Sequence, residues 1–443
     1  MKCNLFLALL LVALFSSSAF AQKFTLFEAQ NYAIENAEQM KNAAIDIEIA
    51  QMKIVETRAI GLPQINAEGN FNHFINLPVQ VVDGAFIGQP GTLVSFRAGT
   101  DYSVSGGVAV NQLIFDGSYL VGLQVSKFYK EFVATNVELT QEQVLLNVTK
   151  AYELALVSRE NLRFMDSLVS STEDLLNKQR ELLALDLILQ EDVDQINYAF
   201  ITAQTNQVNA KYQYENALSF LKMTMAYPMG EPIELLDNLE SVLSQALAEV
   251  SSENSVDGNI QLDLLNKRLE LSRYELKNTK FANLPSLGAF FQHKYDAYRN
   301  EFNFFDNNAD WFEQTFVGVR LSVPIFSSGA RWSRTQQAQL EIEKREFEIN
   351  EYKRALQMQE TQFINDLKSA KDKLKLQQEN VRLATSIYKN SITRSEIGKE
   401  NSLMVTQKYT QVISAQAQYV GAMVDVFNAR LNIDKLYNNI IQK

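Results

Sequence analysis

The chain has few of the residues that interrupt or cross-link a protein. Its 443 residues include 7 prolines, 17 glycines, 2 histidines and a single cysteine, Cys3. With so few helix breakers, the sequence predicts a small number of long elements instead of the two or three ordinary domains that its length allows. One cysteine excludes an internal disulfide, and neither a CxxC nor an HExxH pattern occurs.

Catalytic motifs are also lacking. The sequence contains no Ser/His/Asp arrangement and no phosphate-binding loop. His73 and His293 lie on the apolar side of predicted strands, which favours a structural role at a lipid or interface level. The many acidic residues stand beside Lys and Arg on predicted helix surfaces, as solvated faces do. We therefore expect a protein that is not an enzyme, with no cofactor and no metal.

Positive charge is in deficit, because 41 Lys and Arg oppose 52 Asp and Glu, giving a net charge of -11. This balance argues against nucleic-acid binding, which needs a basic face. Beyond the N-terminus no apolar run approaches the ~18 residues of a spanning helix. If the protein crosses a membrane, strands must therefore make the crossing.

The N-terminus has the pattern of a secretory signal. Lys2 precedes an apolar run over residues 5–15, and Ala19–Ala21 forms a small-x-small cleavage site before Gln22. A membrane anchor is the alternative, but the run is too short to span a bilayer. The sequence thus predicts a signal peptide over residues 1–21, whose removal leaves a mature chain without Cys3 and without any thiol.

Two stretches pass from a strand pattern into a long helix pattern, and the rest of the chain is organised around them. In Ser103–Lys130 the alternation ends at Phe115-Asp116-Gly117, where the period changes from two to about 3.5. Phe316–Arg331 makes the same transition. Gln64–Val82 alternates in the same way, and Asp83–Gly99 is predicted to be an exposed loop because of its glycines. Each strand has one apolar and one polar side, and the polar sides carry Asn66, Glu68, Asn70, Asn72, Ser103, Ser105, Asn111, Arg320 and Ser322.

Very long helices are predicted after each pair of strands. Ser118–Leu183 would extend about 100 Å at 1.5 Å per residue. Arg331–Ile397 carries a heptad seam, which favours left-handed supercoiling against neighbouring helices. Its members are Phe363, Leu367, Ala370, Leu374, Val381, Ala384 and Tyr388. Return helices are predicted over Glu191–Ala226 and Asn401–Ile441, and a first helix over Thr25–Ile60.

The chain also repeats itself. Gln261–Leu287 aligns in register with Gln39–Ile65, and each segment ends in a Leu-Pro pair followed by a strand. The order helix, strand, strand, long helix, helix therefore occurs twice. We predict a first repeat over residues 22–240, a connector over 241–258 and a second repeat over 259–443.

Four strands cannot close a wide barrel, and open strand edges in lipid leave costly unpaired backbone groups. We therefore expect several copies to close one barrel, and three copies would give twelve strands, an ordinary size for an outer-membrane barrel. The predicted fold is an α+β membrane protein: a transmembrane β-barrel, with four strands per chain and closed by trimerisation, that continues into a long α-helical coiled-coil tunnel. Polar lumen faces would make it a water-filled conduit.

Several short motifs carry a resemblance to a known family. They are Leu62–Gln64 and Leu284–Ser286 at strand starts, Phe115–Gly117 and Pro324–Phe326 at strand ends, and Tyr227-Pro228 followed by Pro232–Leu235. With the duplicated plan, the chain resembles the TolC family. The resemblance implies a homotrimeric channel in the outer membrane of a Gram-negative bacterium, in contact with outer-membrane lipid and with a large periplasmic portion. It also implies a passive exit duct for a tripartite efflux pump or a type I secretion system.

The partners implied are a periplasmic adaptor and an inner-membrane transporter of the proton-driven or ABC type, whose docking opens the periplasmic tip.

The family's periplasmic turns carry an Arg-x-x-x-Gly pattern, which Arg394 and Gly398 match, with Ser402 and Leu403 following. In the first repeat Arg180 and Ala184 stand in those places. The resemblance implies that both turns contact the adaptor. Beyond the first turn come Glu191, Asp192 and Asp194, which would form either an acidic pore ring or a solvated helix start stabilised by the helix dipole.

Two other functions compete with the conduit. The first is a non-conducting coiled-coil structural or adhesion protein, which has no need of four amphipathic strands. The second is a soluble periplasmic adaptor, but adaptors carry one helical hairpin and no tandem duplication. The aromatic residues of Tyr298–Phe312 would form either an interfacial girdle with a loop tip or a binding patch.

Overall fold

The computed structural model describes residues 22–88, 90–250, 255–306 and 310–441, so the predicted signal segment 1–21 lies outside the described residues. Short 3-10 helices occur at Gly84–Ile87 and Val256–Gly258. In chain order the other elements are β1 (Gln22–Phe24), α1 (Leu26–Asn36), α2 (Glu38–Ala59), β2 (Gln64–His73), β3 (Val79–Asp83), β4 (Leu93–Arg97), β5 (Tyr102–Phe115), α3 (Gly117–Ala184), α4 (Gln190–Met225), β6 (Ile233–Leu235), α5 (Leu239–Ala246), α6 (Ile260–Phe281), β7 (Ser286–Arg299), β8 (Phe312–Ser322), α7 (Ala330–Glu396) and α8 (Ser402–Leu436).

The chain divides into two compact units. The strand unit contains the described residues of 47–132 and 267–346, and the helical unit contains those of 1–46, 133–266 and 347–443. None of the helices in the described ranges combines the length and the apolar character needed to cross a membrane.

The strand unit is built on one antiparallel sheet with the order β2-β5-β7-β8. The four long strands predicted from alternation therefore lie side by side. Residues of β5 and β7 pair along most of their length, from Tyr102 opposite Arg299 to Phe115 opposite Leu287. This central pairing joins strands that are far apart in the chain, so the sheet depends on contacts between the two halves of the sequence.

Three of the strand predictions differ from the structure. The first predicted strand is interrupted after His73 and resumes as β3 at Val79, directly after Pro78, which has no N–H for a ladder and restrains the residue before it. The predicted loop over residues 83–99 is wrong in part, since β4 pairs with β3 in a separate hairpin. The last strand begins at Phe312 instead of Phe316.

The helical unit has its core between the two long helices and the two return helices. The predicted long helices are confirmed to within a residue or two at each end, as α3 and α7. A cluster of buried side chains from α3, α4, α7 and α8 includes Leu175, Leu176, Ile196, Tyr388 and Val412. The predicted seam of α7 is buried at Leu367, Ala370, Leu374 and Tyr388 and half-buried at its other positions. Apolar residues at 3-4 spacing therefore become the packed faces.

A small parallel sheet of β1 and β6, which the sequence pattern did not reveal, also belongs to the helical unit. The Tyr152 hydroxyl donates to the Phe24 carbonyl at 2.8 Å. Arg159, which interrupts the apolar seam of α3, donates to the Leu235 carbonyl at 2.8 Å and to the Asp237 carbonyl at 2.6 Å. The charged residue in the seam thus satisfies backbone carbonyls beside β6.

The predicted first helix, Thr25–Ile60, is two helices. Thr25 caps α1 with a capping box completed by Glu28, and Ala37 adopts an extended conformation between α1 and α2. The backbone of Ala37 still bonds on both sides, to Ala33 and from Met40, so the helical pattern resumes after a single residue. Because the interruption is one residue long, the spacing of apolar residues along the sequence does not reveal it.

Candidate functional site

One face of the four-stranded sheet gathers all the polar strand residues predicted to line a lumen. In the register, Asn66 lies opposite Ala109, Asn70 opposite Ser105 and Asn72 opposite Ser103. Glu68 of β2 and Asn111 of β5 lie on the same face. The registers of β5 with β7 and of β7 with β8 place Arg320 and Ser322 on it as well. We call it the polar face.

The polar face carries charges and one close aromatic contact. Lys294 forms an ion pair with Asp296 at 3.1 Å, and Glu68 lies on the same face two strands away. The Arg320 guanidinium lies 5.4 Å from the centre of the Phe290 ring, a cation–π geometry. The ring lies against Gly318, where an added Cβ would be only 2.6 Å from it. A side chain at position 318 would therefore displace the Phe290 ring from its present place.

The opposite face of the sheet, which we call the apolar face, is rich in exposed hydrophobic side chains. One row across all four strands is Ile65, Val110, Phe291 and Val317. Val317 is 79 % exposed and Ile65 is 69 % exposed. An apolar surface of this kind indicates contact with lipid or with another chain. His293 lies on this face and shares a 2.7 Å hydrogen bond with Thr315, whereas His73 stacks on Tyr102 at 4.3 Å.

The turn between α7 and α8 is closed by Gly398. Its φ of +68° is a left-handed conformation that glycine adopts without strain. The Gly398 amide donates to the Ser395 carbonyl at 3.1 Å, and the Lys399 amide donates to the Arg394 carbonyl at 2.9 Å. These two bonds form a Schellman-type helix end. The Arg394 side chain and Leu403 are exposed, whereas Ser402 is buried.

The turn between α3 and α4 has the same backbone bonds but a different residue at its centre. The Asp186 amide donates to the Leu183 carbonyl at 2.9 Å, and the Leu187 amide donates to the Leu182 carbonyl at 3.0 Å. Asp186 has the positive φ of 54°. The turn geometry therefore aligns Asp186 with Gly398, and Leu182 with Arg394. This alignment is two residues later than the sequence match through Arg180 and Ala184, both of which are exposed.

Side chains link the two turns of the helical unit. Lys178 forms an ion pair with Glu396 at 2.5 Å, and this hydrogen bond raises the pKa of the lysine. The Gln179 amide donates to the Ser395 hydroxyl at 3.2 Å in a buried contact. These contacts join the penultimate turn of α3 to the last turn of α7.

The acidic residues after the first turn have three different surroundings. Asp192 accepts a 2.9 Å hydrogen bond from the Ser402 hydroxyl, which joins the start of α4 to the start of α8. Asp194 accepts from the Gln190 amide at 2.8 Å. Glu191 is exposed. Asp192 is thus tied to the neighbouring turn, and Glu191 and Asp194 remain at the surface.

A buried polar layer crosses the four long helices, and sequence reasoning did not find it. The Thr172 hydroxyl of α3 lies 3.2 Å from the Tyr388 hydroxyl of α7. The ring of Tyr388 contacts the ring of Tyr409 in α8 at 5.8 Å, and the Asn206 amide of α4 lies 3.5 Å from the Tyr409 hydroxyl. Burial raises the pKa of Tyr388 to about 12. The sequence did carry a signal for this layer, because Thr172 and Tyr388 stand at helix positions where apolar core residues are expected.

In the described ranges, no three His, Cys, Asp or Glu side chains are arranged to hold a metal ion. A cavity of about 320 Å³ in the helical unit is lined by polar and apolar residues, among them Gln30, Val242 and Leu431. It contains none of the predicted site residues.

Known proteins resemble this chain over most of its length. Residues 254–439 match the family model described as outer membrane efflux protein. The outer membrane protein TolC of Vibrio cholerae is 21% identical over 417 residues, which cover 94% of this chain and 89% of that protein. The proteases secretion protein PrtF of Dickeya chrysanthemi is 22% identical over 354 residues, 77% of this chain and 72% of that protein. The crystal structure of the CmeC outer membrane channel of Campylobacter jejuni has a TM-score of 0.67 at 15% identity, covering 93% of this chain and 85% of that one.

Proposed function

We propose, from the membership of this chain in the TolC family of outer membrane efflux proteins, that it is the exit duct of an export system. The protein is a channel of the Gram-negative outer membrane with a large periplasmic portion. The family consists of conduits, which are not an enzyme class. The proposal extends this function to a trimer that conducts passively and opens at its periplasmic turns.

The observation that carries the proposal is a sheet with one polar face, one apolar face and two edges. Within the described ranges, β2 and β8 each pair on one side only. An unpaired edge is costly in lipid, so the edges of neighbouring copies would pair. Three copies would close a barrel of twelve strands, with the apolar face toward lipid and the polar face lining the water-filled lumen.

Exposed apolar residues on α4 support assembly in the helical unit as well. Tyr198, Ile201, Val208 and Tyr212 recur at heptad spacing, and all are 49 % to 65 % exposed. A heptad seam of this kind favours packing against another helix. We propose that a helix of the neighbouring copy covers it and extends the coiled-coil wall of the tunnel.

The order of elements supports an internal duplication. The same order of helix, strand, strand, long helix and helix occurs twice: first as α2, β2, β5, α3 and α4, and later as α6, β7, β8, α7 and α8. We propose repeats over residues 22–240 and 259–443, joined by a connector over 241–258. A trimer of such chains would have sixfold pseudosymmetry in its helical wall.

The partners proposed are a periplasmic adaptor and an inner-membrane transporter. PrtF is named as a proteases secretion protein, which fits service to an exporter. The turn at Arg394–Gly398 and the helix end at Arg180–Ala184, just before the other turn, would contact the adaptor, with Ser402 and Leu403 beside the first of them. Glu191 and Asp194 could contribute to an acidic ring in the pore, whereas Asp192 holds the two turns together through Ser402.

The alternative, a non-conducting coiled-coil structural or adhesion protein, is the weaker interpretation. The relatives are efflux and secretion channels, and a structural coiled coil has no use for a sheet with a polar face.

Conductance tests the proposal. Full-length trimers in planar lipid bilayers should give ion currents, and a Lys178→Met/Asp192→Ala variant should increase the open time. The variant removes the ion pair with Glu396 and the hydrogen bond from Ser402, which link the turns. The matched control is Lys373→Met, because Lys373 pairs with Asp425 at 2.7 Å on an exposed surface away from the turns.

Currents that increase in the turn variant and not in the control would support a gated conduit. If neither the parent nor the turn variant conducts after confirmed insertion of trimers, the conduit proposal is wrong.

A further inference from the structure

The segment that follows β7 folds back onto the sheet. The Phe302 ring lies 5.9 Å from Phe71 and 6.1 Å from Tyr102, and the Phe304 ring lies 6.1 Å from Phe71. Phe71 and Tyr102 both belong to the apolar face, because Phe71 lies opposite Val104 and Tyr102 lies opposite His73. Residues 300–306, which we call the aromatic segment, therefore cover the apolar face instead of extending beyond the strand ends.

Local contacts hold the aromatic segment in place. Ala297 lies on the same face in the row of Phe71 and is 0 % exposed, and Phe304 is 9 % exposed. The Arg299 guanidinium lies 5.9 Å from the centre of the Phe304 ring and donates to the Asp310 carbonyl at 2.5 Å. The segment is thus packed against the sheet by aromatic and cation–π contacts.

The outer surface of the aromatic segment is apolar as well. Phe305 is 90 % exposed, and Phe302 is 59 % exposed. Glu301, Asn303 and Asp306 alternate with these rings. Exposed rings interleaved with polar groups are typical of a segment at a membrane interface, where the rings reach the acyl chains and the polar groups reach the headgroups.

The apolar face changes composition toward this end of the sheet. The row that contains Ile65 and Val317 is entirely aliphatic and aromatic, whereas the last row contains His73, Tyr102 and Arg299. Glu313 lies one row beyond Thr315, and its carboxylate is 3.8 Å from His293. Titratable groups and rings thus accumulate where a lipid-facing surface would meet headgroups.

We propose that the aromatic segment is a lipid-binding element, which lies in the interfacial layer of the outer leaflet with Phe305 among the acyl chains. This inference rests on the proposed function, since it requires the apolar face to face lipid. The occupant is lipid instead of a second copy, because the segment continues the apolar face that the proposed barrel turns outward.

Tryptophan fluorescence in vesicles with brominated lipids tests the inference. The chain has only two tryptophans, Trp311 and Trp332, so Trp311→Phe/Trp332→Phe gives a silent background. Phe305→Trp in that background reports on the segment, and Val317→Trp reports on the apolar face at the middle of β8, where Val317 is 79 % exposed. Phosphatidylcholine brominated near the headgroup or near the chain end supplies shallow and deep quenchers, and iodide supplies the aqueous one.

We expect the Phe305→Trp emission to be lost with shallow bromines and retained with iodide, whereas Val317→Trp should be quenched by the deep ones. Adding Phe302→Ala/Phe304→Ala should release the segment and transfer its quenching from bromine to iodide. Quenching of Phe305→Trp by iodide alone, or by neither quencher as in burial under a second copy, would overturn the inference while Val317→Trp still reports lipid. Loss of bromine quenching at Val317→Trp as well would instead count against the proposed membrane span.

Discussion

At the scale of single residues, the helical unit depends on polar groups placed among apolar ones. Tyr388 is 2 % exposed and Thr172 is 0 % exposed, and their hydroxyls meet in the layer between α3 and α7. Since Thr172 donates to the Leu168 carbonyl at 2.7 Å, the Tyr388 hydroxyl is the donor in this pair. The layer therefore satisfies both groups inside the core.

The first prediction concerns Tyr388→Phe, which removes one buried hydrogen bond and should lower the free energy of unfolding by about 1 kcal/mol. Burial raises the pKa of Tyr388 to about 12, above the ordinary value of about 10. The fold thus favours the protonated phenol, and this stabilisation is complete below pH ~10 and lost as the pH rises toward the folded pKa. Between these pH values the variant should lose less stability than the parent, as measured by thermal unfolding followed by circular dichroism.

Tyr129→Phe is the matched control, because Tyr129 is 41 % exposed. Its stability should follow that of the parent at every pH. Equal alkaline losses in the parent and in Tyr388→Phe would contradict the role assigned to the buried hydroxyl.

At this scale, the position of a side chain could be predicted from the sequence where it depends on a single strand or helix. Alternation along each strand is a local property, so all nine residues predicted for the lumen side fall on one face of the sheet, although its orientation toward a lumen stays a prediction. The links Lys178–Glu396 and Asp192–Ser402 could not be predicted, because they depend on which helices lie together and on their relative rotation.

At the scale of elements, the long helices were predictable because their patterns extend over many turns. The 68 residues of α3 contain no proline, and its apolar positions keep their 3-4 spacing. Short interruptions were not predictable: the break at Ala37 keeps its hydrogen bonds, and β4 is a five-residue strand within a glycine-rich stretch. The pairing of β1 with β6 depends on residues more than 200 positions apart.

The second prediction concerns the packed faces of these helices. Leu175→Ala should cost about 3 kcal/mol, because Leu175 is 1 % exposed in the core of the four long helices and its loss leaves a cavity. Leu185→Ala, in the turn after α3, should change the unfolding free energy by less than about 0.5 kcal/mol, because Leu185 is 68 % exposed. Chemical denaturation followed by circular dichroism measures both, and similar losses for the two variants would contradict the assigned core.

At the scale of the whole molecule, assembly is what completes the proposed channel. In one chain β2 and β8 are separated by β5 and β7. Three intervals of about 4.8 Å place them roughly 14 Å apart. A disulfide requires Cα atoms within about 7 Å, so a bond between β2 and β8 can form only between copies.

The third prediction follows from this separation. With Asn70→Cys on β2 and a cysteine scanned along β8 from Phe312 to Arg320, at least one pair should form disulfides on oxidation. Denaturing gels should then show covalent dimers and trimers and nothing larger, because a ring of three closes on itself. Asn70→Cys alone should remain monomeric on the gel, and ladders that extend beyond three would exclude trimeric closure.

The order β2-β5-β7-β8 also constrains when the protein can fold. The hairpin β7–β8 needs only a local loop, but β5 must wait for β7, which emerges about 170 residues later during export. Contacts between such distant segments form slowly, because loop closure must come before any gain from pairing. Until then β2 and β5 expose an apolar face and strand edges with unpaired N–H and C=O groups to the periplasm. Aggregation there competes with insertion of the protein into the outer membrane. Biogenesis of this protein should therefore require a periplasmic chaperone that protects the first strand pair until the second arrives.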